Sequence, residues 1–224
     1  MTPIRHFALA LLLAALPLRA ELFTPETAVA PAALAARWDG VLGELARADW
    51  VRAPFREKRR FAIRKAPTIL AGDLVLSRTH GLSLHYSSTA VTGWDLVIVD
   101  EQGLLLRDAR GKELVPPGDP RAAGGQRALL DILRLDLDRL AAEFDLFAEG
   151  ERAAWRLGLR ARTTEARRAA VRVIIEGNAA AITRIVLDKP GAQEVEIEIG
   201  TPTVGAAADP DELRARFRRP AARP

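Results

Sequence analysis

The 224-residue chain contains no cysteine. Disulfides, thiolate metal sites, a thiol nucleophile and a lipidated cysteine are therefore all excluded. Lysine is scarce too: Lys58, Lys65, Lys112 and Lys189 are the only four among 33 basic side chains, and the other 29 are arginine. The late titration of arginine accounts for a high isoelectric point at a formal net charge of only +4. The sequence has no polybasic domain, and nucleic acid is not an expected partner.

Catalytic signatures are also missing. There is no Gly-x-Ser-x-Gly elbow, HExxH motif or phosphate loop. Apart from His6, the only histidines are His80 and His85. Five residues apart on an extended chain, they fall on opposite faces and share a metal only if Gly81 turns one round. Asp136 and Asp138 diverge in angle on a helix. Ser83, His85 and Asp95 form the one hydrolase-like combination, with no motif to support it. The expectation is a protein that is not an enzyme and uses no cofactor and no metal.

Long apolar runs are limited to one, Phe7 to Leu16, ten residues against the ~20 that a membrane span needs. Arg5 and His6 precede it, and Pro17-Leu18-Arg19-Ala20 follows, so residues 1–20 read as a cleavable signal peptide. Removing it leaves 204 residues and lowers the net charge to +2, because Arg5 and Arg19 go and no acid does. No permanent membrane anchor is expected. The mature chain reads as one domain over 21–219, with a short disordered tail at 220–224.

The remaining chain is mostly periodic. Leu34, Trp38, Val41, Leu42 and Leu45 recur at helical spacing after Pro31. Period-two alternation then begins at Val51. Phe55, Phe61 and Ile63 share a parity on a first long strand, followed by Leu74 and Leu76, then Leu82, Leu84 and Tyr86. Trp94, Leu96 and Ile98 come next, then Leu104 and Leu106. Pro116 to Gly125 is irregular, rich in proline and glycine. Leu130, Leu133, Leu137, Leu140 and Phe144 follow a three-four-three-four spacing that predicts one amphipathic helix. Alternation resumes at Trp155, Leu157 and Leu159 and continues to Ile199, and 209–219 reads as a short terminal helix or strand. Nine or ten short strands with one buried face each predict a mainly β fold with α elements: a highly curved antiparallel sheet, a half-open β-barrel covered or plugged by amphipathic helices.

The order of these segments resembles the LolA-like outer-membrane lipoprotein carrier family, as a divergent LolA-related periplasmic protein. Ala53-Pro54-Phe55-Arg56-Glu57-Lys58 resembles the family's first-strand signature. Gly72-Asp73-Leu74 with Leu76-Ser77-Arg78 resembles its next strand. Leu96-Val97-Ile98-Val99-Asp100 followed by Gly103 and Leu104 resembles its hydrophobic strand and turn. The leucine helix and Trp155-x-Leu157-x-Leu159 match its middle, and the likeness runs from about Val51 to Ile199. Thr79 replaces an expected proline and Leu84 an expected aromatic, while Phe217-Arg218-Arg219-Pro220 matches the closing segment loosely.

The resemblance implies a periplasmic carrier that holds acyl chains of a lipoprotein or other lipid, passed from an inner-membrane exporter to an outer-membrane acceptor by a monomer. Its cavity and cover would comprise Trp38, Leu74, Leu76, Leu84, Tyr86, Trp94, Leu96, Leu130, Leu133, Leu137, Leu140, Trp155 and Leu157. Arg78 matches a family arginine that latches the cover. Ordinary core packing is the competing reading of every one of these stripes, and a protein-binding scaffold with a fully packed core is the competing function. Amino-terminal sequencing of the exported protein should find Glu21 first; an intact Met1 on membrane-bound material would contradict the leader.

Overall fold

The computed structural model describes residues 21–24, 28–41, 49–87, 94–100, 102–114, 130–205 and 210–218. The leader, Leu42, Leu45, the Pro116–Gly125 stretch and the tail 220–224 lie outside them. Among the described residues, thirteen strands form one antiparallel sheet. Its path runs β1 (Ala28–Val29), β8 (Phe144–Glu151), β9 (Ala154–Ala161), β10 (Arg172–Asn178), β11 (Ala181–Lys189) and β12 (Gln193–Ile199). It continues through β2 (Trp50–Arg60), β3 (Thr68–Ser77), β4 (Gly81–Tyr86), β5 (Leu96–Asp100), β6 (Gly103–Arg107) and β7 (Glu113–Leu114). β13 (Thr203–Gly205) pairs with the start of β2. The path ends at β1 and β7 without closing, so this is the half-open curved sheet that the alternation predicts.

β2 is the central strand, and Pro54 sits in its middle. Proline has no N–H for a ladder and belongs at breaks in pairing. Here the break is real. The Pro54 carbonyl accepts from the Gly200 N–H at 2.9 Å, on the side where β12 ends and before β13 begins. β2 ends at Arg60, earlier than its apolar parity implies. Phe61 and Ile63 lie in the following turn, where Ile63 is 94% exposed, so they are not strand residues.

Among the described residues the helices are α1 (Pro31–Arg37), followed after Trp38 by helical residues 39–41, α2 (130–134), α3 (Leu137–Glu143), α4 (Thr164–Ala169) and α5 (Pro210–Arg216). The expected single helix from Leu130 to Phe144 is instead two. Leu135 adopts the left-handed conformation, with φ of 49°. Its N–H donates to the Ile132 carbonyl and that of Asp136 to the Asp131 carbonyl, each at 3.1 Å. These two bonds form a Schellman turn with leucine in the place usually held by glycine. Asp136 then caps α3, its side chain accepting from the Arg139 N–H. Phe144 is already the first residue of β8.

On the outer face, charges pair across strands. Glu149 pairs with Arg156, Arg156 with Glu176, Glu176 with Arg184, Arg184 with Glu196, and Glu196 with Arg60, which also holds Glu194. This ladder spans β8 to β12 and β2. Burial works against the charge of Glu196, but hydrogen bonds and attraction from Arg184 and Arg60 prevail and hold its carboxyl below the ordinary value. That contribution is complete above the ordinary carboxylate range and is lost as pH falls through the lowered folded-state value. Two apolar patches interrupt the polar face. Leu22 and Phe23 cover Phe147, Ile174 and Val186, and Phe217, just beyond α5, covers Val75, Leu96, Ile98 and Leu105.

Trp155 fixes the β10–β11 hairpin from inside. Its indole N–H donates to the Ala179 carbonyl at 3.0 Å, and a Cβ on Gly177 would stand 2.1 Å from its ring. Gly177→Ala should therefore destabilise the fold by about 2–3 kcal/mol, as overpacking does. Urea denaturation followed by tryptophan fluorescence measures this; an unchanged midpoint would show that the ring can move aside.

Candidate functional site

Antiparallel register brings one parity of each strand onto the concave face. Ala53, Leu74, Leu84, Val97 and Leu106 form one row across β2 to β6, and Val51, Leu76, Leu82, Val99 and Leu104 form the next. A third row sets Phe55 beside Gly72 and Tyr86. Gly72 is required there: a Cβ would lie 2.0 Å from the His85 carbonyl oxygen and 3.0 Å from the Phe55 ring. Its absence lets Phe55 and Tyr86 meet edge to face at 5.4 Å.

The concave core divides into two parts. Over β8 to β12, Leu34, Trp38 and Val41 pack with Ile132, Leu140, Phe144, Trp155 and Leu157, with Leu137 partly buried beside them. Trp38 and Trp155 meet at 5.4 Å, and this half is filled by the protein's own side chains. Over β2 to β6, Leu74, Leu82, Tyr86 and Val99 lie beneath Leu130. Here Leu76, Leu84, Val97 and Leu104 are only partly buried, and Leu133 is the residue of α2 that packs against both halves. The predicted site residues thus fall into two neighbourhoods rather than one. Leu96 belongs to neither: it points to the outer face and packs with Phe217. Trp94 precedes β5 and is half-buried.

One contact between cover and sheet is made to the backbone of Arg78. The Arg134 guanidinium, on α2, donates to the backbone carbonyl of Arg78 at 3.0 Å. The Arg78 N–H in turn donates to the Asp49 carbonyl. Both arginines line a hollow of about 490 Å³ with Pro31, Ala35, Asp136 and Leu137, where α1 faces the α2–α3 turn. Arg134 was legible in the sequence only as the polar side of an amphipathic helix.

The far end of the concave face is polar, which sequence reading missed. Glu57 shares the parity of Ala53 and Phe55 and is only 5% exposed. The Tyr86 hydroxyl donates to Glu57 Oε2 at 3.0 Å and Arg59 Nε donates to Oε1 at 2.6 Å. Burial first, then the Glu57 charge, pushes the Tyr86 hydroxyl far above its ordinary range. Burial opposes the charge on Arg59, but the Glu57 hydrogen bond and charge outweigh it and raise its pKa. Lys189 lies nearby on β11, its pKa lowered by burial and by Arg59, with only Glu57 acting the other way. A charged residue in register with Ala53 and Phe55 was the available signal.

Ser83 and His85 stand on the outer face. The Ser83 hydroxyl accepts from Arg216 Nε at 2.8 Å, and His85 Nδ1 lies 3.2 Å from Asp73 Oδ1. Arg216 also donates to Asp73 Oδ2 at 2.7 Å, so this cluster anchors α5 to β3 and β4. No group of three or more His, Asp or Glu side chains among the described residues could hold a metal ion. No helix among them is long and apolar enough to cross a membrane.

No family model matches the sequence, and no curated protein matches it. Among solved structures, the chain is similar to a LolA superfamily protein from Nitrosomonas europaea, at 8% identity over 78% of this chain and 96% of that one, with a TM-score of 0.42. A DUF1329 family protein from Desulfovibrio piger is 11% identical over 82% of this chain and 96% of that one, with a TM-score of 0.45. A chain of the Pseudomonas aeruginosa MucA/MucB complex is 15% identical over 80% of this chain and 60% of that one, with a TM-score of 0.42.

Proposed function

We propose that this protein is a periplasmic carrier that binds acyl chains of a lipoprotein or another lipid on the concave face of β2 to β6, between an inner-membrane exporter and an outer-membrane acceptor. The observation that supports it is that Leu76, Leu84, Val97 and Leu104, in two adjacent rows of the sheet packed with Leu130 and Leu133, are only partly buried. Burying a methylene yields ~0.8 kcal/mol, so a sixteen-carbon chain gains ~12 kcal/mol before costs. A carrier that kept all of it would not release its load. If α2 lies on the same surface when empty, cargo must displace Leu130 and Leu133, and net affinity becomes a difference between two burials. The Arg134 bond to the Arg78 carbonyl then acts as the latch, and an Arg78→Leu change leaves that acceptor in place.

The test is fluorescent fatty-acyl binding beside thermal melting. Leu133→Glu places a carboxylate against both halves of the core, where it must lose water or drive α2 outward. Acyl binding should fall at least tenfold while the β-sheet melting transition stays cooperative. Arg134→Met should speed acyl exchange more than Arg78→Leu does. A wild-type protein that binds no acyl probe would contradict the carrier reading and favour a scaffold with a packed core.

A further inference from the structure

We propose that Arg59 and Lys189 form an anion site at the polar end of the concave face, which takes the carboxylate or phosphate of an amphiphile whose chain lies along β2 to β6. This inference rests on the carrier reading and adds the headgroup to it. Register places the pieces. Arg59 faces Val195, which faces Leu187, and Lys189 is one row farther toward the β11–β12 turn, opposite Gln193. Moving the other way along the same face, the rows hold Glu57 with Ile197, then Phe55 with Ile199, then the apolar rows beneath α2. From Arg59 to Val51 the strand covers ~26 Å, enough to lie along an extended long acyl chain.

The charge balance favours an anion. Glu57 is the one carboxylate in the cluster, and its two oxygens are already engaged by Arg59 and by the Tyr86 hydroxyl. Those bonds use only part of the five N–H donors of the Arg59 guanidinium. The Lys189 ammonium makes no hydrogen bond or ion pair with any described residue, although the residue is only partly exposed. One acid and two bases leave a single positive charge beside an apolar surface. Burial first, and then Arg59, holds the Lys189 ammonium below its ordinary range, and Arg59 opposes that charge more than Glu57 supports it. An incoming anion would reverse that imbalance.

The experiment measures palmitate and palmitamide separately, as competitors of an uncharged fluorescent acyl probe. Lys189→Gln should weaken palmitate by about tenfold, the scale of one charge-assisted hydrogen bond, and leave palmitamide within about twofold. Lys189→Arg should keep palmitate near the wild-type value. Equal effects on the two ligands, or no effect on either, would overturn the anion site while leaving the carrier reading intact. If palmitate alone binds through a free-anion site, millimolar inorganic phosphate will displace it as well as unlabelled palmitate does, which would also overturn the proposal. Failure of the wild-type protein to bind either ligand would remove the carrier reading and this inference with it.

Discussion

A curved sheet that is apolar on its inner side cannot stand in water without a cover, and among the described residues that cover includes two helices joined at Leu135. The left-handed residue costs roughly 1–2 kcal/mol relative to a helical one. In return, Leu130 is buried against β2 to β6, Ile132 and Leu140 are buried with the core over β8 to β12, and Leu133 touches both. Leu140 completes a core already occupied by Trp38 and Trp155. Leu130 and Leu133 rest on a surface whose own residues remain partly exposed.

The two halves of the core differ in how many of their side chains are fully buried. On the filled side, Gly177 admits the Trp155 ring, α1 adds Leu34, and Arg37 donates to the Gly150 carbonyl at 3.0 Å. Outside, the Arg–Glu ladder ties β8 through β12 to β2 through Arg156, Arg184 and Arg60. Each exposed pair contributes little, in the range of 0–1 kcal/mol, but their register discourages slippage of strands that are otherwise alike. The two ends of the described chain act as clamps on the outer apolar patches, one through Leu22 and Phe23 and one through Phe217.

Much of this was legible in the sequence. Strict alternation located most of the strands, and the resulting parity put Leu74, Leu76, Leu84, Tyr86, Trp155 and Leu157 on one face. Period alone could not locate the helix break, because Leu137 and Leu140 continue the spacing of Leu130 and Leu133; only Asp136, a capping residue inside the run, marks it. Parity also misassigned Leu96, because β5 is buried on both sides: Val97 and Val99 face the concave core while Leu96 and Ile98 meet Phe217. The partner of such a strand lies over a hundred residues away and leaves no local trace. Glu57 was overlooked for a related reason: its compensation by Tyr86 is a contact between strands 29 residues apart.

The central claim is that the partly covered half of the concave face, and not the filled half, receives cargo. A photoactivatable acyl probe, crosslinked to the native protein and mapped by mass spectrometry of its peptides, tests it most directly. Crosslinks should concentrate on β3 to β6, at Leu76, Leu84, Val97 and Leu104, and on α2. Crosslinks confined to the outer face, or centred on Trp38 and Trp155, would contradict the account.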